Sequence, residues 1–437
     1  MTDADLVVHG AAELVVGPAT GTTDGGHPGA HEPPTEPDAV LERLEDGAVA
    51  VTDGHVVAVG PTDEVVREYP PESANRAVDA AGRAVLPGFV DSHTHAVFAG
   101  DRSDEFAAKL RGKSYQEILA EGGGILRTVQ ATRKASADDL LERLLGHLDE
   151  ALAGGATTVE VKSGYGLETD TERRLLEVIR RADDRHPVTV VPTFMGAHAV
   201  PDGESTDTYV DRVIEEQLPA VADLAAFCDV FCEKDVFSVD QSRRVLEAGR
   251  EHGLVPKVHA EEFARLGGSR LAADLEAVSA DHLLQATADD AAALAEAGVT
   301  PTLLPGTPFA LGTEYADPRQ FLAAGGEVAL ATDFNPNCYA PQLPFAATLA
   351  CVEMGLSPAE AIRASTYAGG LALGADRPSI AAVPAGIGTL RDGAPGDLLV
   401  LEAPSHAHVP YRFGTSVVDS AFIGGELAFT AGSGVSR

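Results

Sequence analysis

Tryptophan is absent from this 437-residue chain, and sulfur-containing residues and lysine are scarce. There are 4 cysteines and 3 methionines, and only six of the 32 basic residues are lysines. Cys228 and Cys232 are separated by three residues and no second pair follows, so neither a zinc ribbon nor a disulfide framework is expected. We interpret the cysteines as free thiols, which is typical of a reducing compartment.

Long apolar runs are also missing. No window approaches the roughly 18 consecutive apolar residues that a membrane-spanning helix needs. The start, MTDADLVVHG, has no basic segment followed by an apolar core, so a signal peptide is not expected. These absences predict a cytoplasmic protein without a membrane partner.

Acidic residues, in contrast, are abundant. The chain has 67 Asp and Glu and a formal net charge of −35, and the acids are spread along its whole length. The negative electrostatic field of such a protein repels nucleic acid and anionic membranes, so neither is an expected partner. Spread acidity with few lysines is typical of a protein that stays soluble at high salt, which predicts a halophilic source.

The order of apolar patterns predicts the fold. From about residue 83, short β-branched runs alternate with amphipathic helical stretches such as 137–155 and 171–184, and eight such units predict a (β/α)8 TIM-like barrel. Strand patterns also occur before and after it. We therefore predict a small β-sandwich domain built from both termini, residues 1–82 with 384–437, carrying a flexible insertion at 18–38, and a barrel over 83–383.

Polar and ionisable side chains follow several predicted barrel strands, where barrel enzymes carry their active sites. His93 and His95 are two apart and so lie on one face of a strand. Imidazole suits zinc and iron, and a carboxylate commonly completes the ligand set. With another histidine and an aspartate at later strand ends, the pattern predicts a metal site in the barrel mouth.

These motifs resemble the amidohydrolase superfamily and, more narrowly, the imidazolonepropionase family, ring-opening hydrolases of histidine breakdown. The resemblance covers the chain outside 18–38. It is carried by PGFVDSHTH, HTHAVFAGDR (93–102), EVKSGYGLE (160–168), TFMGAHAVP (193–201), HAEEF (259–263), ADHL (280–283) and TDFNPN (332–337).

The resemblance implies one zinc or iron(II) ion per subunit, a homodimer, and a small substrate that bears a carboxylate. The implied metal ligands are His93, His95, His259 and Asp333. Implied substrate contacts are Arg102, Tyr165, His198, Glu262 and Asn335, followed by Asn337 and Cys338, where the family reads Gly and then Ser or Thr. The expected catalytic groups are Asp333, His282 and Glu262.

Elementary chemistry supports an anchoring role for Arg102. A substrate carboxylate needs a local cation in so acidic a protein, and a guanidinium offers a planar fork that binds a carboxylate through two hydrogen bonds. The alternative is a surface salt bridge. Lys162 also has two interpretations: some amidohydrolases bridge two metals with a carboxylated lysine near this strand, whereas an ion pair with a neighbouring carboxylate is the simpler role.

Two other functions stay open on the sequence alone. One is a related hydrolase such as a cytosine or guanine deaminase, which shares the metal ligands but needs no arginine for a carboxylate. The other is a metal-binding scaffold without catalytic activity.

Overall fold

The computed structural model describes residues 4–19, 37–113, 117–118 and 121–435. Its centre is the predicted barrel of eight parallel strands, nearly closed by a bridge between Thr94 and Phe334. In chain order the barrel strands are Phe89–Asp91, Ala156–Lys162, Thr189–Ala197, Phe227–Cys232, Val255–Ala260, Ser279–His282, Thr300–Leu303 and Ala329–Leu330.

Helices surround the barrel and bury their apolar faces against it. Helix Ala137–Ala153 begins at Ser136, whose side chain accepts a hydrogen bond from Asp139 N, and it buries leucines at helical spacing. The other helices around the barrel are Ser103–Leu110, Ile125–Lys134, Thr169–Asp183, Thr206–Arg212, Leu218–Val221, Val239–Glu251, Gly268–Asp274, Ala288–Glu296, Gly306–Leu311, Pro318–Ala323, Leu343–Val352, Pro358–Ser365 and Tyr367–Ala372. Short helices Thr62–Glu68 and His408–Tyr411, a π-helical turn Val213–Gln217, and 3-10 turns Pro37–Val40, Pro71–Ser73 and Ala222–Leu224 complete the set.

Two further sheets come from the terminal regions and pack face to face, as the sequence predicts. The four-stranded sheet has the order His55–Pro61, Gly47–Thr52, Leu6–Ala11, Arg76–Asp79. The seven-stranded sheet has the order Gly434–Val435, Glu426–Thr430, Val418–Ile423, Leu398–Leu401, Ala84–Pro87, Glu13–Pro18, Leu41–Leu44. Their shared core contains Leu6, Val49, Val51, Val85, Val400 and Phe422.

One strand prediction is wrong. The run 84–93 reads as a single barrel strand, but Ala84–Pro87 pairs with Leu398–Leu401 and Glu13–Pro18, and only Phe89–Asp91 belongs to the barrel. The chain crosses between the two structures at Gly88, where a Cβ would lie 2.1 Å from the Thr157 hydroxyl. Both segments are fully buried, and all their residues except Asp91 are apolar, so periodicity does not separate them. We propose Gly88 as the point where the two predicted domains meet.

The flexible insertion, the free cysteines and the absence of a membrane-spanning helix are the other expectations that concern the fold. Most of the 18–38 insertion, residues 20–36, lies outside them. The four cysteines are free, as predicted. Among the described residues, no helix is long and apolar enough to cross a membrane.

Candidate metal centre and active site

Five side chains converge at the carboxyl-terminal end of the barrel. Nitrogen ligand atoms of His93, His95 and His259 lie within 4.8 Å of one another, and the same holds for ligand atoms of His93, His282 and Asp333. All five residues are buried. His93 belongs to both groups, so the groups form one cluster, which we call the His93 cluster. The first strand, the Val255–Ala260 strand and the last strand thus bring together groups that are far apart in the chain.

Asp333 supplies the carboxylate of the His93 cluster. Its Oδ1 lies 3.5 Å from His93 Nε2 and 3.7 Å from His95 Nε2. Its Oδ2 accepts a hydrogen bond from the Thr307 hydroxyl. Burial raises the pKa of Asp333 to about 6. The residue has φ of +50°, a sharp turn that aims the side chain back into the barrel.

The ring nitrogens of this cluster are arranged as a cation would require. His259 Nε2 lies 3.3 Å from His95 Nε2. His93 Nε2 is buried and has no hydrogen-bond partner among the described residues. Three imidazoles and one carboxylate are a donor set that zinc and iron both accept. The His93, His95, His259 and Asp333 side chains therefore fit a divalent ion of this kind.

Two buried aspartates set which ring nitrogen faces the centre. His93 Nδ1 lies 2.6 Å from Asp281 Oδ2, and His259 Nδ1 lies 3.1 Å from Asp229 Oδ2. An ionised carboxylate only accepts hydrogen bonds, so His93 carries its proton on Nδ1 and keeps a lone pair on Nε2. The contact between His259 Nδ1 and Asp229 has ion-pair distance without hydrogen-bond geometry. Such carboxylate–histidine pairs orient metal-binding imidazoles in many proteins.

Lys162 lies beneath the His93 cluster and forms ion pairs. Its Nζ is 2.7 Å from Glu160 Oε1, 2.8 Å from Asp229 Oδ2 and 3.9 Å from Asp281 Oδ2. Burial opposes the ammonium, but these carboxylates outweigh it and raise the pKa of Lys162. The geometry supports the ion pair over a carboxylated, metal-bridging lysine.

His282 and Glu262 lie at the edge of the cluster. The His282 ring centroid is 5.1 Å from that of His259 and 5.4 Å from that of His93. Its Nε2 lies 3.7 Å from Glu262 Oε2, and its Nδ1 is buried without a hydrogen-bond partner among the described residues. Burial, reinforced by the charge of Asp333, raises the pKa of the Glu262 carboxyl.

Tyr165 and His198 form one side of the site. The His198 ring stacks on His95 with centroids 4.8 Å apart and lies 5.3 Å from Tyr165. Burial lowers the pKa of His198 to about 3, so the ring is neutral at pH 7. His198 Nδ1 lies 3.0 Å from the Gly164 carbonyl oxygen, which can only accept. The neutral ring therefore carries its proton on Nδ1 and presents Nε2 as a hydrogen-bond acceptor.

Arg102 is buried, and one edge of its guanidinium is already used. Its Nε donates to Glu105 Oε2 at 2.8 Å, and Glu105 Oε1 accepts a bond from Gly124 N at 3.0 Å. Arg102 Nη2 is buried without a hydrogen-bond partner among the described residues. This arrangement fixes the position of the guanidinium and leaves Nη2 as a free donor. Because Arg102 is buried, its pair with Glu105 is not the surface salt bridge that the sequence left as an alternative.

The loop after Asp333 uses its polar groups internally. Asn335 Nδ2 donates to the Asp333 carbonyl, and Asn335 Oδ1 accepts from the backbone N–H of Asn337 and Cys338. Asn337 Oδ1 accepts a bond from Lys109 Nζ at 3.0 Å. The Cys338 thiol is buried and faces the Thr332 carbonyl at 3.9 Å.

Sequence reasoning did not assign roles to the residues that support the site. Glu160, Asp229 and Asp281 are charged residues inside buried barrel strands, which is the signal that could have found them, because unpaired charges are costly there. Glu172 and Thr307 gave no such signal. The Glu172 carboxylate accepts the backbone N–H groups of 164, 166 and 167 and so fixes the turn that carries Tyr165.

Comparison with known proteins adds independent findings. A profile of the amidohydrolase family matches residues 84–428, and a profile of the imidazolonepropionase-like composite domain of bacteria matches 47–71. An imidazolonepropionase of Haloarcula marismortui is 62% identical over 98% of this chain and 97% of its own. The imidazolonepropionase of Halobacterium salinarum is 58% identical over 99% of this chain and 100% of its own. The imidazolonepropionase of Symbiobacterium thermophilum is 47% identical over 99% of each chain. The first two relatives are from halophiles, in line with the acidic composition.

Solved structures show the same fold at low identity. The adenosine deaminase from Xanthomonas campestris with bound zinc has a TM-score of 0.72 at 19% identity, covering 100% of this chain and 95% of that one. The guanine deaminase of E. coli has a TM-score of 0.68 at 14% identity, and the match covers 97% of this chain and 98% of that one. At these identities the likeness concerns the fold alone.

Proposed function

The chain belongs to the amidohydrolase family and, within it, to the imidazolonepropionases, and we propose how its side chains perform that reaction. Imidazolonepropionases hydrolyse 4-imidazolone-5-propanoate to N-formimidoyl-L-glutamate in histidine degradation. The observation that carries the proposal is the convergence of three imidazole nitrogens and one carboxylate at the barrel mouth.

The His93, His95, His259 and Asp333 side chains would hold one zinc or iron(II) ion. When bound, such an ion polarises a carbonyl and lowers the pKa of a coordinated water to about 7. The protein supplies the orientation: Asp281 and Asp229 keep the Nε2 lone pairs of His93 and His259 facing the centre.

Asp333 is the proposed proton carrier. Water attacks the ring carbonyl, the Asp333 carboxylate takes a proton from it, and that proton passes to the ring nitrogen as the C–N bond breaks. The carbonyl carbon becomes the second carboxylate of the product.

His282 and Glu262 would assist on the same side. His282 would donate a hydrogen bond to the carbonyl oxygen while negative charge develops on it. Glu262 lies beside His282 and is buried, so its raised pKa lets it hold a proton that it can exchange with the ring.

The remaining contacts would orient the substrate. Neutral His198 offers an acceptor at Nε2, which suits a ring N–H of the substrate. Tyr165 lies next to it and closes the same side. Arg102 would bind the propionate through its free donor edge. Direct contacts from Asn335, Asn337 and Cys338 stay a prediction, because their polar groups are engaged within the loop and with Lys109.

Replacing His282 by alanine is expected to lower kcat by about 100- to 1,000-fold with the metal still bound. Loss of one donor to a developing oxyanion costs roughly 3–4 kcal/mol in comparable sites. Steady-state kinetics and metal analysis of the same preparation check this. A His282→Ala protein that has lost its metal would make His282 a ligand instead of a donor.

Product analysis tests the reaction itself. Ring opening of 4-imidazolone-5-propanoate is expected to yield one N-formimidoyl-L-glutamate per substrate and no ammonia, whereas a deaminase of the same fold would release ammonia. Ammonia in proportion to turnover would contradict the proposal. A chain that binds metal but turns over no substrate would be the scaffold alternative.

Two expectations from the sequence, a homodimer and a cytoplasmic location, stay predictions.

A further inference from the structure

A layer of buried charges lies directly beneath the His93 cluster. Lys162 is fully buried at the end of strand Ala156–Lys162, and three carboxylates from three different strands surround its Nζ within 4.0 Å. A buried charge is retained only when it is well paired, so this ammonium and its neighbours form one unit. The unit comprises Lys162, Glu160, Asp229 and Asp281.

Each carboxylate of this unit supports a different part of the His93 cluster. The Asp281 carboxylate contacts His93 Nδ1, and the Asp229 carboxylate contacts His259 Nδ1. Glu160 Oε2 accepts the backbone N–H of Thr94 at 3.2 Å, and its main-chain carbonyl accepts the Thr94 hydroxyl at 2.7 Å. Thr94 lies between His93 and His95, so Glu160 fixes the strand end that carries both.

Lys162 connects these three supports. Its bonds to Glu160 and Asp229 are short, and Asp281 lies 3.9 Å away. Without the Lys162 ammonium, Glu160 and Asp229 would face each other in a dry interior with no cation between them and would move apart, whereas Asp281 would keep Lys257 at 3.8 Å. Asp229 would then no longer aim at His259 Nδ1, and Asp281, attracted by Lys257 alone, would shift relative to His93 Nδ1.

We propose that Lys162 is a positioning residue of the metal centre, which aligns all three metal-binding imidazoles through Glu160, Asp229 and Asp281. The proposal rests on the metal site described above and adds a residue that touches neither metal nor substrate. It also gives the lysine a role that a carboxylated, metal-bridging lysine would not have.

Metal affinity tests this directly, with Co²⁺ as the probe. Lys162→Met is expected to weaken Co²⁺ binding by about 10- to 100-fold, the range found when the supports of metal ligands are removed. Competition with a chromophoric chelator measures the affinity. The visible absorption bands of the bound Co²⁺ should also change, because they report the geometry of its ligands.

Lys257 provides a matched control. It is also fully buried, on strand Val255–Ala260, but it lies 3.8 Å from Asp281, and its other bonds are to the carbonyls of Ser92 and Ala372. Lys257→Met is therefore expected to weaken Co²⁺ binding by less than tenfold. Equal losses in the two variants would overturn the proposal, because they would reflect only the removal of a buried charge.

A double variant separates alignment from charge balance. Lys162→Met with Glu160→Gln removes one cation and one anion, which limits the repulsion if the single variant folds poorly. Weakened Co²⁺ binding should persist, because Asp229 still lacks its partner and Asp281 is paired with Lys257 alone. Wild-type affinity in the double variant would overturn the proposal. Failure of the wild-type chain to bind Co²⁺ at all would instead overturn the metal site itself.

Discussion

Asp333→Ala is expected to lower kcat/KM for 4-imidazolone-5-propanoate by at least about a thousandfold and to weaken metal binding. The residue combines two roles, since its Oδ1 faces His93 and His95 while the carboxylate would carry the proton of the attacking water. Positioned proton transfer alone contributes roughly 100- to 10,000-fold in enzymes. Steady-state kinetics and metal content measured on one preparation check both effects.

Asp397→Asn is the matched control for this prediction. Asp397 is also a buried aspartate whose pKa burial raises to about 6, but it accepts its hydrogen bond from Gly424 N, in the terminal sheets. Its replacement should change thermal stability and leave the turnover of folded protein near that of the wild type. Turnover of Asp333→Ala within tenfold of wild type would contradict the role of Asp333.

Arg102→Lys is expected to raise KM strongly and to lower kcat/KM by about a thousandfold. A lysine keeps the charge but loses the planar fork, and it leaves Glu105 without the bond that Arg102 Nε provides. Truncating one partner of a buried charge pair costs about 3–5 kcal/mol, which corresponds to roughly 100- to several-thousand-fold. The separate effects on KM and kcat check whether binding is what fails.

A substrate without the carboxylate makes this prediction specific. The propionamide analogue should be hydrolysed slowly by wild type and by Arg102→Lys to a similar extent, because neither enzyme can use the missing charge. Arg127→Met serves as a control, since Arg127 also pairs with Glu105, at 3.5 Å, but is 42% exposed in its side chain. An unchanged KM in Arg102→Lys would remove the anchoring role.

The barrel and the candidate metal-binding residues at its strand ends could be predicted because each depends on a local pattern. His93 and His95 share a face through their spacing of two, and parallel strands bring their carboxyl ends to one edge. Asp333 follows a short apolar run of the same kind. Such patterns can be recognised in the sequence because each one lies within a few consecutive residues.

The rest depends on partners that are distant in the chain. The split at Gly88 follows from pairing with strand Leu398–Leu401, about 300 residues later, and no local pattern encodes that partner. The Lys162 unit likewise joins residues from three strands. Asn337 departs from the family pattern, and its bond to Lys109 becomes visible only when helix Ser103–Leu110 lies beside the loop.

Metal removal and reloading test the central claim most directly. The chain is stripped with a chelator, dialysed and assayed for loss of 4-imidazolone-5-propanoate before and after addition of Zn²⁺ or Fe²⁺, with metal content measured at each stage. We expect about one ion per chain, loss of turnover in the stripped protein, and recovery in proportion to the metal restored. Full turnover by protein that contains no metal would contradict the assignment of His93, His95, His259 and Asp333 as the metal centre of this hydrolase.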